Sequence, residues 1–158
     1  MANDFNANEI FEIAKQIEVN GAKFYRDSAE LIKDAAQKEF LLELAAMEDD
    51  HEATFATMQK ELTEGEKAAT AFDPDGEGVL YLKALADTRV FFEKEKPAAD
   101  MKSILASAIA AEKDSISFYL GMKELVTEKL GKDKIDHIIK EEMSHIKLLA
   151  VQLVALTD

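Results

Sequence analysis

The chain has 158 residues, 19 Lys and Arg against 32 Asp and Glu, a net charge of −13 and no cysteine. This charge argues against a nucleic-acid partner, which requires a basic surface. The lack of cysteine excludes disulfides, thiolate-ligated zinc and iron–sulfur clusters within the chain. With only 6 glycines and 2 prolines, the sequence predicts one all-α domain over residues 1–158.

The sequence carries no signal for export or for a membrane. No apolar run approaches the ~20 residues that a membrane-spanning helix requires, and the N-terminal residues are polar and acidic, unlike a secretory signal. We therefore expect a cytoplasmic protein with no membrane partner.

Four stretches have the alternating three- and four-residue spacing of apolar side chains that is typical of bundle helices. They predict helices at 7–33, 36–62, 98–128 and 132–156. Asn6 with Glu9 predicts the cap of the first helix, and Gly131 predicts the turn before the last. Residues 63–99, rich in turn formers, predict a connector with a short helix at 79–86. A connector of this length can run along a bundle, so we predict two antiparallel hairpins joined by a long crossover, with the second and third helices parallel.

Two glutamate–histidine pairs interrupt the apolar seams at corresponding positions. Glu48-x-x-His51 returns 94 residues later as Glu142-x-x-His145. Thirty residues before each pair stands a single glutamate, with a tyrosine seven residues after it; these residues are Glu18, Tyr25, Glu112 and Tyr119. One Glu-x-x-His arises easily by chance on an acidic helix, but eight positions in register predict a site with two-fold pseudo-symmetry.

Four buried carboxylates are strongly unfavourable unless cations neutralise them. Two divalent ions match four glutamates in charge, and two neutral imidazoles complete their coordination. The pattern therefore predicts a dinuclear centre with these metal ligands: Glu18, Glu48, His51, Glu112, Glu142 and His145. Oxygen and imidazole ligands suit iron or manganese, and zinc can occupy such a set. A purely structural polar layer is the alternative.

Two tyrosines, a third histidine and two methionines also stand out in the sequence. Tyr25 and Tyr119 fit two roles, as core residues or as hydrogen-bond donors that orient the ligand carboxylates. His137 has no counterpart in the first half and is interpreted as a surface residue. Met47 and Met58 are interpreted as core filling.

Over nearly the whole chain, this ligand pattern resembles the rubrerythrin-like branch of the ferritin-like di-iron carboxylate superfamily. The resemblance implies a ferritin-like four-helix bundle with two iron ions, which reduces hydrogen peroxide or reacts with dioxygen. Bacterioferritins and manganese catalases present a similar ligand set. The chain lacks the cysteine-ligated rubredoxin domain of full-length rubrerythrin, so electrons are expected from a separate donor, such as a rubredoxin-type protein.

The chain departs from rubrerythrin at Ser115, where rubrerythrin carries an additional glutamate; Gly21 is the corresponding residue of the first half. This difference implies a more symmetric site and argues against efficient peroxidase turnover. The two small residues either allow close helix packing or leave room for solvent or an oxidant. Three functions remain compatible with the pattern: an oxidoreductase, expected as a homodimer; a ferroxidase of an iron-storage cage; and a metal-stabilised bundle without turnover.

Overall fold

A computed structural model describes residues 6–62, 77–85, 98–126 and 128–157. These residues form five α-helices, α1 (Ala7–Leu31), α2 (Ala35–Lys60), α3 (Glu77–Leu85), α4 (Met101–Leu125) and α5 (Lys132–Thr157), with a 3₁₀ turn at Glu128–Leu130. The four long helices match the four predicted ones within a few residues at each end, and α3 is the short helix predicted in the connector. The loop predicted around Gly65, Pro74, Gly76 and Gly78 lies outside the described residues, except for Gly78, which belongs to α3 and not to a loop. None of the described helices has the length and hydropathy needed to cross a membrane.

Side-chain caps set where the long helices begin. The Asn6 Oδ1 atom accepts a hydrogen bond from the Glu9 amide at 2.9 Å, as the sequence predicts. Asp34 and Asp100 cap α2 and α4 in the same way, and the Asp100 cap explains why α4 begins later than predicted. Gly131 has a φ of 103°, a left-handed conformation that favours glycine and turns the chain into α5.

Contacts between α1 and α2 give the direction of the first hairpin. Lys15, in the first half of α1, donates to Gln59 at the end of α2, whereas Arg26, late in α1, pairs with Asp49 in the middle of α2. The two helices are therefore antiparallel.

In the second hairpin, Lys123 at the end of α4 donates to Asp136 near the start of α5. Glu112 in the middle of α4 lies beside His145 in the middle of α5, so these helices are antiparallel too.

Two hydrogen bonds fix how the hairpins face each other. Tyr25 of α1 donates to Glu112 of α4, and Tyr119 of α4 donates to Glu18 of α1. Because the later residue of each helix contacts the earlier residue of the other, α1 and α4 are antiparallel. It follows that α2 and α4 run parallel, as the long crossover requires.

The apolar core is divided into two clusters by one polar layer across the bundle. The first core cluster is centred on Phe11, Phe55, Phe118, Met122 and Ile135. The second core cluster is centred on Phe24, Leu41, Leu44, Leu105 and Leu149. Burial of each such side chain contributes about 1.5–3 kcal/mol to folding. The clusters also shield the polar layer between them from solvent.

Helix α3 covers one side of the first core cluster. Leu82 is fully buried there, and the Tyr81 hydroxyl donates to the Ser117 carbonyl of α4 at 3.2 Å. The approach requires a residue without a side chain, because a Cβ atom on Gly121 would lie 2.7 Å from the Tyr81 ring. The described part of the connector is thus packed against α4.

Candidate metal centre

The polar layer consists of the six residues predicted as metal ligands. Each of them is at most 4% exposed. α1 and α4 supply one glutamate each, and α2 and α5 supply one Glu-x-x-His pair each; the residues are Glu18, Glu112, Glu48, His51, Glu142 and His145. Positions i and i+3 lie on the same face of a helix, so both members of each pair point into the bundle. The structure therefore brings the whole predicted set together.

Glu48 and Glu142 lie between the two histidines. The His51 Nδ1 atom is 3.5 Å from Glu48 Oε2 and 2.8 Å from Glu142 Oε1. The His145 Nδ1 atom is 3.6 Å from each of the other two oxygens, Glu48 Oε1 and Glu142 Oε2. Each carboxylate thus offers one oxygen to each histidine, which is the arrangement of a bridging ligand.

The other two glutamates sit at opposite ends of this bridge. Glu18 Oε2 lies 3.5 Å from His51 Nδ1, and Glu112 Oε1 lies 3.3 Å from His145 Nδ1. Two groups result, which share the bridging carboxylates: site A, formed by Glu18, Glu48, His51 and Glu142, and site B, formed by Glu48, Glu112, Glu142 and His145. Within each group the ligand atoms lie within 4.8 Å of one another, so the cluster is compatible with a dinuclear metal centre.

Several atoms of the layer have no hydrogen-bond partner among the described residues. These atoms are His51 Nδ1, Glu112 Oε2 and both carboxylate oxygens of Glu142. A buried polar atom without a partner costs about 1–3 kcal/mol. A cation at each site would satisfy all of these lone pairs, so the residues present fit two metal ions.

The two buried tyrosines hydrogen-bond to the outer glutamates across the hairpins. The Tyr25 hydroxyl donates to Glu112 Oε1 at 2.6 Å, and the Tyr119 hydroxyl donates to Glu18 Oε1 at 2.5 Å. Seven residues along one helix span ~10 Å, too far for a tyrosine to reach the glutamate of its own helix. The antiparallel neighbour brings the other glutamate within reach. Burial raises the pKa of both tyrosines, which keeps them protonated as donors.

The pKa values of the four carboxyl groups shift in two opposite directions in the metal-free protein. Burial, reinforced by the charge of Glu48, raises the pKa of Glu18 and Glu112 well above the usual value. Burial also acts to raise the pKa of Glu48 and Glu142, but contacts with the outer glutamates and with both histidines outweigh it and lower those two values. Without metal, protons therefore favour the outer carboxyl groups over the bridging ones.

The histidines balance the bridging carboxylates. Burial favours the neutral ring, but the neighbouring carboxylates of Glu112, Glu142 and Glu48 prevail and raise the pKa of His145 to about 12. The pKa of His51 is raised for the same reason. Protons on the histidines and on the outer glutamates therefore offset negative charge in the metal-free layer, and divalent ions would displace these protons.

The outward nitrogen of each histidine has a partner that the sequence reasoning missed. His51 Nε2 lies 2.5 Å from Glu141 Oε2, and His145 Nε2 lies 3.1 Å from Met47 Sδ. The interpretation of Met47 as core filling is wrong, because it is 39% exposed. His137 is exposed as predicted, and it pairs with Glu141 at 2.5 Å. The internal repeat contains a signal for these two residues, because Met47 and Glu141 each precede a bridging glutamate and are related by the same offset of 94.

A cavity of about 30 Å³ adjoins the layer between α1 and α4. It is lined by three of the site carboxylates, by Tyr25, and by the two small residues Gly21 and Ser115. A water molecule needs roughly 10–15 Å³ of such space, so the cavity admits a very small molecule. Helix packing therefore does not close the space beside Gly21 and Ser115.

A comparison with solved structures supports the ferritin-like fold and the metal-binding cluster. A crystal structure from Thermotoga maritima, of a protein assigned as a ferritin-like diiron-carboxylate protein, is similar to this chain with a TM-score of 0.67 and 26% identity over 94% of both chains. No family model and no curated protein matches the chain. The fold is thus that of a ferritin-like bundle, and its buried carboxylate–histidine cluster is compatible with dinuclear metal binding. The rubrerythrin-like branch stays a prediction.

Proposed function

We propose that the protein is a dinuclear non-haem oxidoreductase that reduces hydrogen peroxide or dioxygen with electrons from a separate donor. The observation that carries this proposal is the pair of bridged sites with a small cavity beside three of their carboxylates. A purely structural metal site is closed, whereas a catalytic one keeps a position open for the reactant. The cavity provides that position.

The residues of the layer would hold two iron ions, with manganese or zinc as substitutes. Glu48 and Glu142 would bridge the ions, Glu18 with His51 and Glu112 with His145 would complete each side, and iron would supply the electrons that the oxidant takes up. Reduction of hydrogen peroxide consumes two electrons and two protons and yields two water molecules.

The remaining residues around the centre would orient ligands and exclude water. Tyr25 and Tyr119 hold the outer carboxylates in place through hydrogen bonds. The two core clusters close both ends of the layer. The cavity beside Gly21 and Ser115 limits the reactant to about the size of peroxide or dioxygen. This combination favours a small oxidant over an organic substrate.

Partners follow from the same reasoning. The chain contains no cysteine and so cannot carry a rubredoxin-type iron centre of its own, which makes an external donor of that type part of the proposal. We also propose a cytoplasmic homodimer and not a storage cage.

The test is a reaction of the iron-loaded protein with each oxidant. Protein purified without oxygen and loaded with two Fe(II) per chain is mixed with hydrogen peroxide, and separately with dioxygen, in a stopped-flow spectrometer. A reduced rubredoxin-type protein then tests for repeated turnover. We expect oxidation faster than that of free Fe(II), followed by consumption of the reductant. Light scattering should give the mass of a dimer.

Glu142→Ala is the matched control, because it removes a bridging carboxylate that does not line the cavity. If the protein binds two irons but neither oxidant oxidises them faster than free Fe(II), the protein is a metal-stabilised bundle without turnover. Rapid oxidation without turnover, in a large cage, would instead assign the protein to iron storage.

A further inference from the structure

The two metal sites have the same inner residues but different outer contacts. Each site contains one outer glutamate, one histidine and the two bridging carboxylates, and each outer glutamate accepts a hydrogen bond from a tyrosine. The histidines differ on their outward side. His51 Nε2 contacts the carboxylate of Glu141, and His145 Nε2 contacts the thioether of Met47.

These two contacts have different strengths. A carboxylate is a strong acceptor, and the bond at 2.5 Å is short; a thioether sulfur is a weak acceptor. A carboxylate on the outer nitrogen of a histidine fixes that nitrogen as the donor. The inner lone pair is then directed at the metal, and the ring becomes a stronger ligand. His51 receives this support from Glu141, whereas His145 receives little from Met47.

A second contact holds Glu141 in position. Its other oxygen, Oε1, lies 2.5 Å from His137 Nε2 one helical turn earlier in α5. Both residues line a groove of about 630 Å³ between α2 and α5, on the side of the layer where His51 lies. Glu141 is therefore fixed between an exposed histidine and a buried one.

We propose that Glu141 is a positioning residue that makes site A the tighter of the two metal sites, so that the first divalent ion binds at site A and the second at site B. Met47, at the corresponding place, leaves site B weaker. This inference rests on the metal binding of the proposed function and not on its turnover.

The test is an oxygen-free titration of the chelated full-length protein with Co(II). Calorimetry and the visible absorption of the bound ion monitor the binding. We expect two steps, separated by roughly 10–100-fold in affinity, the usual effect of such outer partners. Glu18→Ala should abolish the tighter step, and Glu112→Ala should abolish the weaker one.

Exchange of Met47 and Glu141 isolates the effect of the residue behind each histidine. Glu141→Met gives both histidines a thioether and should bring the tight step down to the weak one. Met47→Glu, a change at a partly exposed position, should bring the weak step up to the tight one. In the double variant M47E/E141M the order should reverse, so that Glu112→Ala then removes the tighter step. Lys140→Gln, a change at an exposed neighbouring position that leaves both contacts of Glu141 in place, is the control and should retain two separated steps.

The outcomes separate this inference from the proposed function. Failure of the wild-type protein to bind Co(II) would overturn both. Two ions bound with equal affinity, or a gap unchanged in Glu141→Met, would overturn only the role of Glu141. If Glu141→Met does not fold by circular dichroism, Met47→Glu decides: an unchanged weak step contradicts the proposal.

Discussion

The hairpin α1–α2 and the hairpin α4–α5 supply equivalent metal ligands but different residues behind their histidines. Glu48 and Glu142 face both histidines in the same way, whereas Met47 and Glu141, one residue earlier, differ in chemistry. The inner positions are constrained by charge, because four buried carboxylates need matched cations. The outer positions lie near solvent and escape this constraint. Differences between the two metal sites can therefore arise there.

The largest expected effect is the loss of a bridging carboxylate. Glu48→Ala and Glu142→Ala should each retain fewer than two metal ions per chain by elemental analysis, because each change removes one oxygen from both sites. The two variants should behave alike if the halves are equivalent inside. In a purely structural layer, both changes would lower stability through unpaired partners, and metal content would not follow them. Two ions retained in Glu48→Ala would rule out Glu48 as a required ligand.

Metal removal should make stability depend on pH, and all parts of the layer contribute. The raised pKa values of Glu18 and Glu112 give a contribution that is complete below the unfolded value of 4.5 and is lost as pH rises above it. The raised histidine values give a contribution complete below 6.5 and lost above it. The lowered values of Glu48 and Glu142 act oppositely, with a contribution present above 4.5 and lost in more acidic solution.

The metal-free protein should accordingly be most stable near pH 4.5, and its unfolding free energy should fall towards neutral pH. Each extra proton on the native state contributes a slope of about 1.4 kcal/mol per pH unit. Metal-loaded protein lacks these protons and should keep its stability above pH 6. Thermal melts of chelated and loaded samples across pH 4–8 measure this; identical curves would contradict the assignment of the layer.

Loss of a tyrosine hydroxyl should have a smaller effect. Tyr25→Phe removes the donor to Glu112, and Tyr119→Phe removes the donor to Glu18. Each should cost about 1–2 kcal/mol of unfolding free energy, measured by urea denaturation of the metal-free protein. Metal content should remain, and the rate of oxidation should change more than occupancy. Markedly unequal costs would show that the hairpins differ on the inside as well.

The smallest expected effect is at the cavity. A Cβ atom at Gly21 would lie 3.6 Å from the Glu48 side chain, an ordinary contact. Gly21→Ala should therefore leave metal content unchanged and raise stability by about 0.5–1 kcal/mol, the usual gain within a helix. Gly21→Val should fill the cavity and slow oxidation by peroxide. An unchanged rate in Gly21→Val would show that the oxidant reaches the centre by another side.

The internal repeat explains how much of this site could be predicted. One offset relates the two hairpins, so the pairs Glu48 with His51 and Glu142 with His145 could be predicted from spacing alone. The composition predicted the all-helical fold that holds them. The crossed bonds of Tyr25 and Tyr119 did not follow, because they depend on which helices are neighbours. Glu141 was missed because an acidic residue on an acidic helix is uninformative until a buried histidine is found beside it.

The central claim is that two metal ions bind between the hairpins, and diffraction from crystals soaked in Mn(II) or grown with Fe(II) tests it most directly. Anomalous difference maps should show two peaks between the carboxylates of Glu48 and Glu142. One peak should lie beside His51 Nδ1 and the other beside His145 Nδ1. A single peak at the surface, or an ordered layer with no peak in metal-saturated crystals, would contradict the account.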